Sequence, residues 1–352
     1  MKKTFILFGF ILTTVLLSNS FWDGFFKETN YGKPFVSEIH STANKLEMGY
    51  DMSYDEYNIQ EEAKKFDRPV VIVDLGVDIP LYAMSFGKKF NGKNKWGWSL
   101  SLPVSIHLLE DMFESVTAPL INTDFNFGAP QFNLIRRFNG NGFIKNISLS
   151  WLPFFHQCTH LGDEIIIYRT QVKLPIIRVN ISYYYTDLKL TINDPDGSRN
   201  NLNSLKLGFY YRLSDNGYGW FSIEQGVETT ENINIKHSEY RTEYYLNYRN
   251  QRSTGFLASK KVLNIFSFEA KRRVRLNYPS FKGSGTDWIE KQVEEGHIWS
   301  FNLYFGWKFF MTENSNRSVG MFLRLYKGLN PFGQMRNNPN YKFIGLAFTY
   351  DL

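Results

Sequence analysis

The sequence predicts an all-β protein, an antiparallel transmembrane β-barrel of about twelve strands. Three observations predict it. Apolar and polar residues alternate in repeated segments of roughly ten residues, aromatics crowd the apolar positions, and no stretch beyond the N-terminus is long and apolar enough for a spanning helix. A strand shows successive side chains to opposite faces, so each segment offers one face to hydrocarbon and one to a polar interior. A sheet in lipid must close, because unpaired backbone groups there find no water.

The elements can be justified in chain order. Lys2 and Lys3 precede, after Thr4, an uncharged and mostly apolar run from Phe5 to Leu17, and Ser18-Asn19-Ser20 puts small residues where a signal peptidase reads. The run falls short of the about 20 residues that a membrane helix needs. Residues 1–20 therefore read as a cleaved signal peptide, with the mature chain expected from near Phe21 and delivered to the outer membrane. No cysteine follows the run, so a lipoprotein anchor is not expected. Cys158, the one cysteine, has no intramolecular partner for a disulfide. The formal net charge of +6 drops by two when Lys2 and Lys3 leave, too little to point to nucleic acid.

Residues 21–68 are expected to form an N-terminal segment holding a first strand or an appendage, and residues 69–352 the barrel. Within the first segment, Glu56 to Asp67 is charged and helix-compatible, with Pro69 as its stop. Alternating segments from 44–54 to 340–352 number fourteen, the first one or two open to reading as an N-terminal appendage, and single-chain barrels have even strand counts, so the expected range is about 12–14 strands with twelve preferred.

The clearest segment is Trp299 to Phe309. Trp299, Phe301, Leu303, Phe305, Trp307 and Phe309 share one face, and Ser300, Asn302, Tyr304, Gly306 and Lys308 the other. Its terminal tryptophans match two interfacial girdles. Leu205, Leu207, Phe209, Tyr211 and Leu213 alternate in the same way with Lys206, Gly208, Tyr210 and Arg212. Val319, Met321, Leu323 and Leu325 alternate with Gly320, Phe322, Arg324 and Tyr326. The last segment offers Ile344, Leu346, Phe348, Tyr350 and Leu352, the strand expected to engage the barrel assembly machinery, whose usual signal ends in Phe. Asn193 to Asn203 and Asn277 to Gly296, rich in turn formers, are expected as extracellular loops.

One stretch departs from this alternation: Phe155-His156-Gln157-Cys158-Thr159-His160-Leu161-Gly162-Asp163-Glu164. In a strand, His156, Cys158 and His160 fall on one face, ahead of a tight turn at Gly162 and Asp163. Two imidazoles then flank the thiol. The stretch is preceded in the chain by Leu120-Ile121-Asn122-Thr123-Asp124-Phe125 and Gly128-x-Pro130, and followed late by Tyr326-x-Gly328-x-Asn330-Pro331-x-Gly333-Gln334.

Taken together, these motifs resemble a family of outer-membrane barrels known only as a domain of unknown function, whose members usually read His-x-Ser-Ser/Thr-His-Leu-Gly-Asp-Glu. The resemblance spans most of the chain. More distantly, the His-x-Ser core resembles outer-membrane phospholipase A and lipid A deacylase, which hydrolyse lipid esters. That resemblance implies His156 as general base and Cys158 as nucleophile, with Asp163 or Glu164 standing in for the Asn that orients the phospholipase histidine. Strand parity opposes it, since Ser148 and Ser150 share a face with His156 and belong to the lumen, unless a bulge at Pro153 reverses the phase.

Three readings of the stretch stay open. It forms a hydrogen-bonded rim fixing one hairpin, with His160, Gly162, Asn330, Pro331, Gly333 and Gln334 as structural members. It hydrolyses lipid esters with a thiol nucleophile activated by imidazole. Or His156, Cys158 and His160 bind a metal such as zinc, which soft and imidazole donors suit. A separate basic set, Lys271, Arg273 and Arg275, shares one face and would favour anions in a lumen or form a solvated charge run. No cofactor is implied. The functional alternatives are a lipid-active enzyme whose partner is outer-membrane lipid, and a narrow passive channel or structural barrel without activity.

Overall fold

Strand pairing closes into a ring of twelve antiparallel strand positions, as the alternation predicts. The computed structural model describes residues 25–26, 33–38, 41–54, 65–86, 94–111, 120–138, 142–161, 177–180, 182–195, 201–214, 219–224, 227–231, 242–253, 261–274, 280–282, 289–291, 297–312, 317–333 and 340–351. The expected signal peptide, residues 56–64 of the expected helix, Gly162, Asp163, Glu164, Arg275, Gln334 and Leu352 lie outside the described residues.

The strands are β1 (Asn44–Tyr54), β2 (Lys65–Phe86), β3 (Asn94–Asp111), β4 (Leu120–Gly128), β5 (Gln131–Phe138) and β6 (Asn146–Leu161). They continue with β7 (Ile177–Asn180), β8 (Ser182–Ile192), β9 (Leu202–Ser214), β10 (Gly219–Glu224), β11 (Val227–Glu231) and β12 (Thr242–Arg252). The last six are β13 (Val262–Val274), β14 (Ser280–Lys282), β15 (Ile289–Lys291), β16 (His297–Phe310), β17 (Ser318–Gly328) and β18 (Tyr341–Asp351). β4 and β5 fill one ring position, pairing with successive halves of β3 and of β6. Ala129 and Pro130 interrupt them, and proline has no N–H to give the ladder. β7, β10 and β11 form a small separate sheet, as do β14 and β15. β10 and β11 are thus a strand pair outside the ring.

Closure runs through β1, which pairs with β2 on one side and β18 on the other. Of the two expectations for residues 21–68, a first strand is what Asn44–Tyr54 supplies, so the ring begins ahead of residue 69. Residues 65–67, at the end of the expected helix, open β2 instead. Gly49 faces Gly345 at this seam, and the Phe343 ring leans over both. A Cβ at Gly49 would stand 2.4 Å from the Ile344 carbonyl oxygen, so the closing strands approach as glycine alone permits.

The outward faces are apolar and the inward faces polar. Trp299, Phe301 and Phe305 are exposed on β16 while Ser300, Asn302 and Tyr304 are buried. Val319, Met321, Leu323 and Leu325 on β17 face out, and Arg324 and Tyr326 face in. The interior is filled. Glu47 accepts hydrogen bonds from Arg324 and, at 2.6 Å, from the Tyr304 hydroxyl, and Arg324 Nε donates to Asn302 Oδ1 at 3.0 Å. Lys45 pairs with Asp74 at 3.1 Å. Residues 33–38 enter the lumen: the Asn302 amide donates to the Ser37 carbonyl oxygen at 2.8 Å, Ser37 Oγ meets Ser267 Oγ at 2.7 Å, and Lys206 pairs with Glu38.

Connections alternate between the two ends of the ring. The long ones, 162–181, 215–241 and 275–296, share one end, while 87–93, 139–145, 193–201, 253–261 and 311–317 share the other. The two expected extracellular loops therefore sit at opposite ends. Asn193 is the reason the sequence misled: its polarity serves the short turn, where Oδ1 accepts the Lys145 N–H at 2.7 Å and the side-chain amide donates to two carbonyl oxygens. At the long-connection end the lumen is capped by Val70, Ile72, Leu109, Ile121, Tyr326, Phe332, Tyr341 and Phe343.

Candidate functional site

The first half of β6 points Asn146, Ser148 and Ser150 inward and Leu149 and Trp151 outward. Continued unbroken, that alternation would bury His156. It breaks at Pro153, where the register against β8 jumps from Leu152–Asp187 to Phe155–Tyr185. A bulge of this kind inserts an extra residue and exchanges the faces beyond it. Past it, Phe155, Gln157 and Thr159 are buried in the interior, and His156, Cys158 and His160 stand on the outer surface.

On that surface Cys158 lies opposite Phe125 of β4 and opposite Ser182 of β8. His156 lies opposite Phe127 and Tyr184, with ring centroids at 5.1 and 4.5 Å. His160 meets Phe125 edge-on at 5.7 Å. The His156 Nε2 atom is 3.3 Å from the Ser182 hydroxyl oxygen. Its Nδ1 is buried and has no hydrogen-bond partner among the described residues. Cys158 is a free thiol, half-buried, and makes no hydrogen bond among the described residues. The outward histidine is thus joined to a hydroxyl on the neighbouring strand rather than to the thiol two residues away.

The other motif residues converge on the inner side of the same wall. Both carboxylate oxygens of Asp124 accept the Gly333 N–H, at 3.2 and 3.1 Å. A Cβ on Gly333 would lie 2.0 Å from Thr159 Cγ2, so glycine lets the backbone dock directly behind Cys158. Asn330 turns the chain there: its Oδ1 accepts the Phe332 N–H at 2.9 Å, and Pro331 beside it is buried. Residues 329–333 consequently tuck into the lumen instead of standing above it.

Lys271 and Arg273 face the lumen, but their charges are met by the protein. Lys271 is 3.4 Å from Glu243 and 4.0 Å above the Tyr210 ring. Arg273 Nη1 donates to the carbonyl oxygens of Leu329 and Asn330 at 3.1 and 3.0 Å, fastening the tucked segment. No group of three or more His, Cys, Asp or Glu side chains converges on a metal position among the described residues.

Sequence reasoning missed two features. Ser182 is hidden because the register of β8 against β6 is set beyond the connection 162–181; its one signal is a hydroxyl on the same alternating face as Tyr184. The second is a chain inside the lumen, in which Ser105 Oγ is 3.1 Å from His107 Nε2 and His107 Nδ1 is 2.8 Å from Asp74. This order of groups resembles a hydrolytic triad. Yet Ser105 and His107 are 2% exposed and Lys45 engages the other Asp74 oxygen, so the chain serves the packed interior.

Residues 54–273 match the family model described as "Protein of unknown function (DUF1207)". No curated protein matches the chain. Among solved structures, the chain is similar to an active-site mutant of outer membrane phospholipase A from Escherichia coli, with a TM-score of 0.46 and 12% identity over 95% of this chain and 98% of that one. The translocator domain of the autotransporter NalP from Neisseria meningitidis aligns with a TM-score of 0.35 and 8% identity over 89% of each chain. A Pseudomonas aeruginosa FadL homologue aligns with a TM-score of 0.30 and 9% identity over 93% of this chain and 97% of that one.

Proposed function

The chain belongs to the DUF1207 family, and from that premise we propose that it is an outer-membrane lipid-ester hydrolase in which His156 acts as general base on the membrane-facing surface. One observation carries this reading: the bulge at Pro153 turns His156 out of the lumen and into hydrogen-bonding contact with a hydroxyl on the lipid side. Polar and ionisable groups facing hydrocarbon are unfavourable and are kept where they serve a function. Around them Phe125, Phe127, Phe154 and Tyr184 offer apolar surface on which an acyl chain can lie.

Outer-membrane barrels carry short turns on the periplasmic side and longer loops outside. By that rule the site lies near the extracellular end of β6, level with the outer leaflet, whose lipids are the proposed substrates. A base there removes the proton of a neighbouring nucleophile as that nucleophile attacks the ester carbonyl.

The filled lumen supports the same reading over a passive channel, because Phe35, Glu47, Arg324, Tyr304 and Phe332 occupy the conduction path as buried groups. The test is fatty-acid release from phospholipid or lipid A by purified protein in detergent. Wild type is expected to release fatty acid and His156→Ala to lose that activity. Equal background from both would leave the barrel a structural one.

A further inference from the structure

The resemblance to outer-membrane phospholipase A implies Cys158 as the nucleophile, two residues from the base on the same strand. We infer instead that the nucleophile is the Ser182 hydroxyl of β8, an assignment that rests on the lipid-ester reading above. The geometry separates the two. His156 Nε2 is within hydrogen-bond range of Ser182 Oγ at 3.3 Å, whereas the Cys158 thiol has no hydrogen bond among the described residues.

Strand spacing alone does not choose between them, since residues i and i+2 of one strand share a face about 6.7 Å apart. A diagonal neighbour on the next strand can be reached by a long aromatic side chain. His156 lies directly opposite Tyr184, and Ser182 is its diagonal neighbour. The imidazole is held between Phe127 and Tyr184, at centroid distances of 5.1 and 4.5 Å, and from there its Nε2 meets Ser182. Aromatic neighbours thus fix which nucleophile the base serves.

The reaction balances with water as co-reactant. Nε2 takes the Ser182 hydroxyl proton as Oγ bonds to the ester carbonyl carbon. The tetrahedral intermediate collapses, the ester C–O bond breaks, and the proton on Nε2 passes to the leaving alcohol oxygen, releasing the deacylated lipid. Water then gives a proton to Nε2 while its oxygen attacks the acyl-serine carbonyl. As the acyl–Oγ bond breaks, that proton returns to Oγ and the fatty acid departs.

The test combines an active-site label with lipid turnover on the full-length protein in detergent, with folding of each variant checked by heat-modifiable gel migration. An alkyl fluorophosphonate probe is applied to wild type, Ser182→Ala, Cys158→Ala and His156→Ala, and the labelled residue is found by peptide mapping. The label is expected on Ser182 in wild type and in Cys158→Ala, and absent from Ser182→Ala and His156→Ala. Fatty-acid release is expected to fall by about 100-fold or more in Ser182→Ala, the scale of losing a base-activated nucleophile. Label on Cys158, no label on folded wild type, or undiminished release by Ser182→Ala overturns the assignment. The two readings fail apart: release that survives Ser182→Ala sinks the serine and keeps the hydrolase. Label on Ser182 without release from any lipid keeps the serine and sinks the lipid-ester substrate.

Discussion

Asp124 accepts the backbone N–H of Gly333 with both carboxylate oxygens, at 3.2 and 3.1 Å, on the inner wall directly behind Cys158. Because a Cβ on Gly333 would overlap Thr159, the contact needs glycine as well as the carboxylate. Gly333→Val is expected to lift residues 329–333 out of the lumen, and Asp124→Ala to leave a buried donor unsatisfied at about 1–3 kcal/mol. Urea unfolding of the protein in lipid vesicles reads the loss, and protease cleavage within residues 329–333 reads the release. Wild-type stability and protection in both variants would show the contact to be incidental.

Pro153 decides which way the site faces. A nitroxide on Cys158 is expected to be relaxed by oxygen, which concentrates in hydrocarbon, while one on Thr159→Cys in a Cys158→Ser background is expected to be shielded inside. Deleting Pro153 removes the extra residue, and a one-residue change of register moves every following side chain to the other face. The two accessibilities should then exchange. Identical accessibility at 158 and 159 in the native register would refute the outward assignment.

The barrel was legible because alternation is local: the faces of Trp299 to Phe309 and of Val319 to Tyr326 follow from sequence alone, and the ring reproduces them. The site was only half legible. His156, Cys158 and His160 could be placed on one strand, and Pro153 could be recognised as able to break its phase. Whether it does so depends on the pairing of β6 with β8, a long-range property. Ser182 was invisible for the same reason, and the inward fold of residues 329–333 depends on Arg273, Ser300 and Asp124 from three other strands. A polar loop sequence carries no sign of whether solvent or a lumen receives it.

The Glu47–Arg324 pair tests how the lumen is held. Both groups are buried, so Arg324→Met strands a carboxylate and is expected to destabilise by about 3–5 kcal/mol. Glu47→Gln added to Arg324→Met should recover much of that, since the remaining side chains carry no charge. Vesicle-based urea titrations of the two variants give the comparison. A double variant no more stable than Arg324→Met alone would mean that packing against Tyr304 and Phe343, which Arg324 also overlies, matters more than charge.

The same packed interior predicts the electrical behaviour. Residues 33–38 lie across the lumen on Ser267, Asn302 and Lys206, and residues 329–333 lie at its long-connection end. Wild-type protein in planar bilayers is expected to give no steady conductance, because ions would have to cross buried ion pairs already matched to one another. Steady single-channel steps would contradict the filled lumen and restore the channel reading.

Assembly is the last expectation, and it turns on the end of β18. β18 closes the ring against β1 and alternates Ile344, Leu346, Phe348 and Tyr350 outward, so its outer face is available to the barrel assembly machinery proposed as its partner. Leu352 stands where the expected assembly signal prefers Phe. In sequence Leu352 keeps the spacing of Leu346, Phe348 and Tyr350, so Leu352→Phe keeps an apolar residue at that position and should insert as well as wild type. Leu352→Asp puts a charge at that position and should lower the outer-membrane yield, measured as heat-modifiable protein in the membrane fraction. Equal yields from the two variants would mean that the terminal residue takes no part in recognition.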